Sequence, residues 1–148
     1  MTSKSILILN GPGFGEACDR AGISEAEVKS ACEQACLDNS LALDYHQAVD
    51  LDDFSAVIHR QFEHHNGLIF NPAGCTGTGA ARTLQAALDE VALLARPVIE
   101  THLGNIFTDG SGSSPLGDTR CASAFICGFG LKSYLLAIRA ASRTILQA

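Results

Sequence analysis

Short aliphatic runs bounded by Gly, Pro or Asn alternate along this chain with stretches of helical period, and that alternation restricts the fold more than any single motif. The runs are Ser5 to Asn10, Leu41 to Gln47, Gly67 to Asn71, Pro97 to His102 and Ala122 to Cys127. Between them apolar residues recur at three- and four-residue spacing. Val28, Ala31, Cys32, Ala35 and Cys36 do so within Ser24 to Asn39, and Phe54, Val57, Ile58 and Phe62 within Leu51 to Glu63. Thr78 to Leu94 and a closing stretch, Leu131 to Leu146, read the same way. Strands separated by single helices are joined by right-handed βαβ crossovers, which makes the sheet parallel and covers both of its faces. The expected fold is a three-layer α/β/α sandwich forming one domain over residues 1–148.

Composition agrees. With 148 residues, 47% apolar and 18% charged, the chain supplies a core for one domain without disulfide staples. Ten Lys plus Arg against 16 Asp plus Glu leave a net charge of −6 and no basic cluster, so no nucleic-acid partner is expected. The run Ile6-Leu7-Ile8-Leu9 is too short for a signal-peptide core or a membrane span; no membrane partner and a cytoplasmic location are expected. Cys18, Cys32, Cys36, Cys75, Cys121 and Cys127 therefore read as free thiols. Cys32 and Cys36 share a helix face. No second Cys/His pair of zinc-finger spacing follows, so they read as small buried hydrophobes and no metal is expected.

Ser24 to Glu27 fits a capping box, and Asp50 with Asp53 suits a helix start. His64-His65 reads as solvated surface at a helix end. Ligands of open α/β sheets bind beyond the carboxyl ends of the strands. Three polar, Gly-rich segments land there: Asn10 to Gly15, Asn71 to Gly79, and His102 to Asn105. Gly11-Pro12-Gly13-Phe14-Gly15 has the wrong spacing for a dinucleotide fingerprint, and Gly74 to Gly79 lacks the lysine of a Walker loop, so no cofactor is expected. Cys18 and Cys75 approach the same edge. No cation near Cys75 lowers its pKa, which argues against a reactive thiol there.

The residues at this edge carry a resemblance. Leu7-Ile8-Leu9-Asn10-Gly11-Pro12 resembles the opening L-N-G-P-N of type II 3-dehydroquinate dehydratases, the small flavodoxin-like dehydroquinases of the shikimate and quinate pathways. Ile69 to Thr76 resembles their I-N-P-A-G-x-T-H-T segment, and Val98 to Ile106 their V-E-V-H-x-S-N-I segment. Gly128 to Ala137 is similar to their G-x-G-x-x-G-Y-x-L-A helix start. The likeness covers nearly the whole chain. It implies a flavodoxin-like sheet of order 2-1-3-4-5 and a trimer-based dodecamer as the homo-oligomer.

The same resemblance assigns His102 as general acid, with Glu100 or a neighbouring carbonyl to fix its tautomer, and Asn71 with the backbone amides of Leu103 and Gly104 as a carboxylate pocket. Asn10 and Gly74, at the same edge, complete the expected substrate-binding set. Four departures matter. The lid, Gly13 to Ile23, is short and has no tyrosine, although the family uses a lid tyrosinate as base. Gly13 replaces an Asn that supports the enolate, Gly77 replaces the His of T-H-T, and Thr108 to Ser114 lacks the clamping arginines. Three readings follow: a dehydroquinase-like protein that binds or processes a small carboxylate without normal dehydratase activity; an active dehydratase with a substitute lid base, Arg20, Asp19 or Glu16; or a non-catalytic oligomeric scaffold. The last predicts a crevice filled by Phe14 or Phe107.

Overall fold

Ile6, Leu7, Ile8 and Leu9 are all fully buried, which requires a central strand covered on both faces. They belong to β1, Ser5–Asn10, in a computed structural model that describes residues 3–75, 78–106 and 124–147. After β1 come α1 (Phe14–Ala21), α2 (Glu25–Asp38), β2 (Ala42–Gln47) and α3 (Leu51–Gln61). A 3-10 turn, Phe62–His64, leads to β3 (Gly67–Asn71), then α4 (Thr78–Ala92), β4 (Val98–His102), β5 (Ala124–Cys127) and α5 (Leu131–Leu146). Of the fifth expected strand, residues 122–123 lie outside the described residues.

All pairings are parallel and the sheet order is β2-β1-β3-β4-β5, the flavodoxin-like order. Alternation divides the core in two. Leu7, Leu9, Leu68, Phe70 and Val98 pack against α3 and α4, while Ile6, Ile8, Ile69 and Ile99 pack against α2 and α5. Cys32 and Cys36 lie in the second layer as small hydrophobes, and burial pushes both thiols up to about 12. No disulfide is formed among the described cysteines; Cys121 lies outside the described residues. Among the described residues, no helix is long and apolar enough to cross a membrane.

Both helix starts are capped. The Ser24 hydroxyl accepts from Glu27 N at 3.1 Å, while the Glu27 carboxylate takes that hydroxyl, at 3.2 Å, rather than the backbone N–H that a full capping box uses. Asp50 accepts from Asp53 N at 2.8 Å, and Asp53 reaches back to Val49 N at 2.9 Å. The segment read as a lid is helical: α1 runs from Phe14 to Ala21 and is stopped by Gly22 in the left-handed conformation, φ 71°. Its apolar pair, Phe14 and Cys18, at i and i+4, binds it to the second core layer.

His65 corrects the sequence reading. His64 is a solvated surface residue, but the His65 side chain is only 11% exposed. Its Nδ1 meets Ser5 Oγ at 3.0 Å and its Nε2 lies 3.3 Å from Asp44, whose other oxygen is 2.9 Å from His46. Arg96, in the connection between α4 and β4, donates to the carbonyls of Phe62, Glu63 and His65, so the turn before β3 is held from the approach to the neighbouring strand. This staple joins residues far apart in sequence, which local periodicity does not register.

Burial lowers the pKa of His65, outweighing the attraction of Asp44; His46 and His64 oppose protonation too. A base with a folded pKa below its unfolded value favours the neutral form when folded. Its contribution is therefore whole above the unfolded value, about 6.5, and is lost as pH falls through the lower folded one. Denaturant melts taken from neutral pH downward should show stability falling through this window, and His65→Asn should flatten the profile. An identical pH slope in the variant would show that the charge state of His65 is not what the fold senses.

Candidate active site

β1 and β3 both end in Asn, and Asn10 and Asn71 are in register across the ladder. Following the alternation, both amides leave the face covered by α5, where Tyr134 meets them. The Tyr134 hydroxyl donates to Asn10 Oδ1 at 2.5 Å and accepts from Asn71 Nδ2 at 3.0 Å. Asn10 Nδ2 donates in turn to the Tyr45 hydroxyl at 2.8 Å, and Asn71 Oδ1 accepts from Ala73 N at 2.9 Å. The last bond is an Asx turn that holds Ala73 in the left-handed region, φ 48°. Asn10, Asn71 and Tyr134 are 0%, 2% and 0% exposed. Burial drives the phenols of Tyr134 and Tyr45 well above their ordinary value, so neither is a tyrosinate near neutral pH.

The loops beyond the strands are laced as tightly. Gly11 N donates to Asn71 O at 2.7 Å, Gly74 N to Pro12 O at 2.6 Å and Gln47 Nε2 to Gly11 O at 2.8 Å. A Cβ on Gly11 would lie 2.2 Å from Pro72 O, and one on Gly74 2.6 Å from Pro12 O. Both glycines are thus required by close backbone approach. Outside this lacing lies an open groove of about 380 Å³ between Pro12, Val49 to Leu51, Gly74, Cys75 and the start of α4. It occupies the C-terminal edge beside the switch point between β1 and β3, where open α/β sheets take ligands. Burial, with Asp50 adding, pushes the Cys75 thiol up to about 11, in line with the inert thiol expected.

His102 closes β4 on the other face. Its Nε2 lies 2.8 Å from Glu100 Oε1, and its ring is 5.6 Å from that of Phe125. The two side chains are 8% and 4% exposed, a buried imidazole held in one orientation by a carboxylate. Leu103 is buried and its carbonyl accepts from Gly130 N at 2.9 Å; Gly104 is exposed, with open space where a Cβ would stand. His102 and Asn71 therefore approach the edge from opposite faces. The lid candidates Glu16, Asp19 and Arg20 are exposed on α1. Phe14 is 1% exposed, edge-on to Tyr134 at 6.0 Å; Phe107 and Thr108 to Ser114 lie outside the described residues.

Sequence reasoning missed the Tyr134 hydroxyl as the link between the two asparagines. The signal was available: two parallel strands ending in Asn at matched positions must bury both amides against whatever helix covers that face.

Fold and site together define a flavodoxin-like α/β protein with a buried acid–base pair at the carboxyl edge of its sheet. The family profile Dehydroquinase class II matches residues 4–142, and the chain belongs to that family. It is 30% identical over 141 residues to the 3-dehydroquinate dehydratase of Rhodopseudomonas palustris, covering 91% of this chain and 90% of that one. It is 31% identical over 146 residues to 3-dehydroquinate dehydratase 2 of Pseudomonas aeruginosa, covering 92% of each. The type II dehydroquinase of Propionibacterium acnes superposes with a TM-score of 0.75 at 24% identity, over 95% of this chain and 99% of that one. A 3-dehydroquinate dehydratase-like protein from Bifidobacterium longum gives 0.73 at 21% identity, over 95% and 97%.

Two substitutions should move stability in opposite directions. Tyr134→Phe leaves Asn10 Oδ1 and Asn71 Nδ2 buried without their partner and should cost about 2 kcal/mol or more. Among the described residues the Thr101 hydroxyl is already buried without a partner, so Thr101→Val, equal in shape, should be neutral or stabilising by up to about 1 kcal/mol. Chemical denaturation of both variants measures this; a near-neutral Tyr134→Phe would mean the phenol is not holding the edge.

Proposed function

We propose that this chain is a dehydroquinase-type protein that binds a small carboxylate at the C-terminal edge of its sheet and does not carry out normal dehydration of 3-dehydroquinate. The observation that carries the reading is the state of the segment that would bear the base. In α1 the core-facing positions are Phe14 and Cys18, the remaining polar residues face solvent, and the chain's two tyrosines are buried with raised pKa values. General-base loss alone is worth roughly two to four powers of ten. His102, oriented by Glu100, is retained as the group that donates a proton to, or hydrogen-bonds, the ligand.

In this reading the carboxylate rests on His102 and the backbone of Leu103 and Gly104. Asn10, Asn71 and Gly74 act behind it, since their side-chain amides and the Gly74 N–H are bonded within the protein. The protein works in the cytoplasm, without cofactor, on a metabolite of the shikimate or quinate type. It assembles as the trimer-based dodecamer of its family.

A dehydratase assay with 3-dehydroquinate, followed by enone absorbance, should show turnover at least about a hundredfold below that of ordinary family members. Citrate and related small carboxylates should raise the melting temperature of the wild type and not that of His102→Leu. Turnover comparable to the family's would replace this reading with that of an active dehydratase using Glu16, Asp19 or Arg20. A shift that persists in the variant would move the ligand away from His102.

Light scattering coupled to size exclusion should give a mass of twelve 15.5 kDa chains. A trimer would place an altered contact between trimers, and a monodisperse monomer would refute the assembly.

A further inference from the structure

Four of the five described cysteines are sealed. Cys18, Cys32, Cys36 and Cys75 are no more than 3% exposed, and burial pushes their thiols up to about 11 or 12. Cys127 is the exception, partly exposed as the last residue of β5. Its in-register partner on β4 is His102. Residues paired across parallel strands leave the same face of a sheet, and two contacts identify the face. Phe125, two residues before Cys127, packs on the His102 ring, whereas Ile126 packs in the opposite layer. Thiol and imidazole are therefore lateral neighbours at the sheet's carboxyl edge.

One ring nitrogen of the imidazole is left to receive a proton. Glu100 holds Nε2, and among the described residues no group bonds to Nδ1 of this side chain, which is 8% exposed. With the Nε2 proton shared with a carboxylate, Nδ1 is the acceptor nitrogen. Nucleophile, base and orienting carboxylate are thus in sequence along one face of the β4–β5 ladder, the arrangement by which an otherwise weak thiol is activated.

The neighbouring backbone narrows the chemistry. In the turn from β5 to α5, Phe129 N donates to Ser133 Oγ, Gly130 N to Leu103 O, and the amides of Lys132 and Ser133 to Phe129 O and Gly130 O. These amides are not available to cradle the localised oxyanion of acyl transfer. Addition to a conjugated alkene spreads the developing charge over carbon and oxygen and suits soft, polarisable sulfur.

We propose that Cys127 is a nucleophilic thiol with His102 as its base and Glu100 as the positioning residue for His102, and that the site takes a small α,β-unsaturated carbonyl compound. The thiol proton passes to His102 Nδ1 as the S–C bond forms at the β-carbon. The alkene π pair moves to the α-carbon, which recovers the proton from His102. All atoms of thiol and alkene are retained in the adduct, and nothing is oxidised or reduced overall. The proposal stands apart from the carboxylate reading, because a neutral electrophile tests it.

Acrylamide is the probe, on the full chain carrying Cys121→Ser, with the adduct at each cysteine quantified by peptide mass spectrometry between about pH 6 and about pH 9. Cys127 should be modified first, with a rate that already rises in the imidazole range. His102→Asn should slow it roughly tenfold or more near neutral pH. Glu100→Gln should slow it to a lesser degree than His102→Asn and change the shape of the pH profile, which loss of packing alone would not do. Equal rates in the parent and His102→Asn, with both folded by circular dichroism, would overturn the proposal. Should His102→Asn not fold, the parent profile decides: a rate that rises only in the ordinary thiol range refutes the proposal, and one that already rises in the imidazole range sustains it.

Discussion

The Tyr134 hydroxyl holds the carboxyl edge of this sheet together. It bonds to both Asn10 and Asn71, and through them ties in β1, β3, the Asx turn at Ala73 and Tyr45 of β2. A buried amide without a partner costs about 1–3 kcal/mol, so two amides side by side in the core need a group that donates to one and accepts from the other. A phenol does both. The strand ends are then aligned, the β1 and β3 loops come within reach of Gly11 and Gly74, and the groove opens beyond them.

That arrangement accounts for which parts of the dehydroquinase pattern this chain keeps. What persists is what backbone packing demands: two glycines where a Cβ would strike a carbonyl oxygen, two asparagines facing a tyrosine, and an acid–base pair at the end of β4. In α1, Phe14 and Cys18 fasten the helix to the core, while Glu16, Asp19 and Arg20 stay exposed.

The opposite end of the sheet is held by a separate device. His65 bridges Ser5 and Asp44, and Arg96 holds the carbonyls just before β3. β2 is an edge strand with only intermediate burial, so these polar ties at its inner face add to a ladder supported from one side alone.

Periodicity in the sequence was enough for the element order, the parallel sheet and both helix caps, because each depends on residues within one turn or one pleat of each other. The likeness of the strand-end motifs to one family supplied the strand order and singled out His102, Asn71 and the glycines of the loops. Tertiary structure alone decided how those residues are used. Asn71 sits on the face of Tyr134, 63 positions away, and His102 on the other face beside Phe125 and Cys127. His65 is buried because Ser5, 60 residues earlier, lies beside it. The lid is a fastened helix because Phe14 finds the Tyr134 ring. Each of these depends on a partner brought up by sheet pairing, and a one-residue change of strand parity would send the same side chain to the opposite face. Local chemistry therefore determines what a residue is able to do in this protein, and the register of the sheet determines which neighbour it does it with.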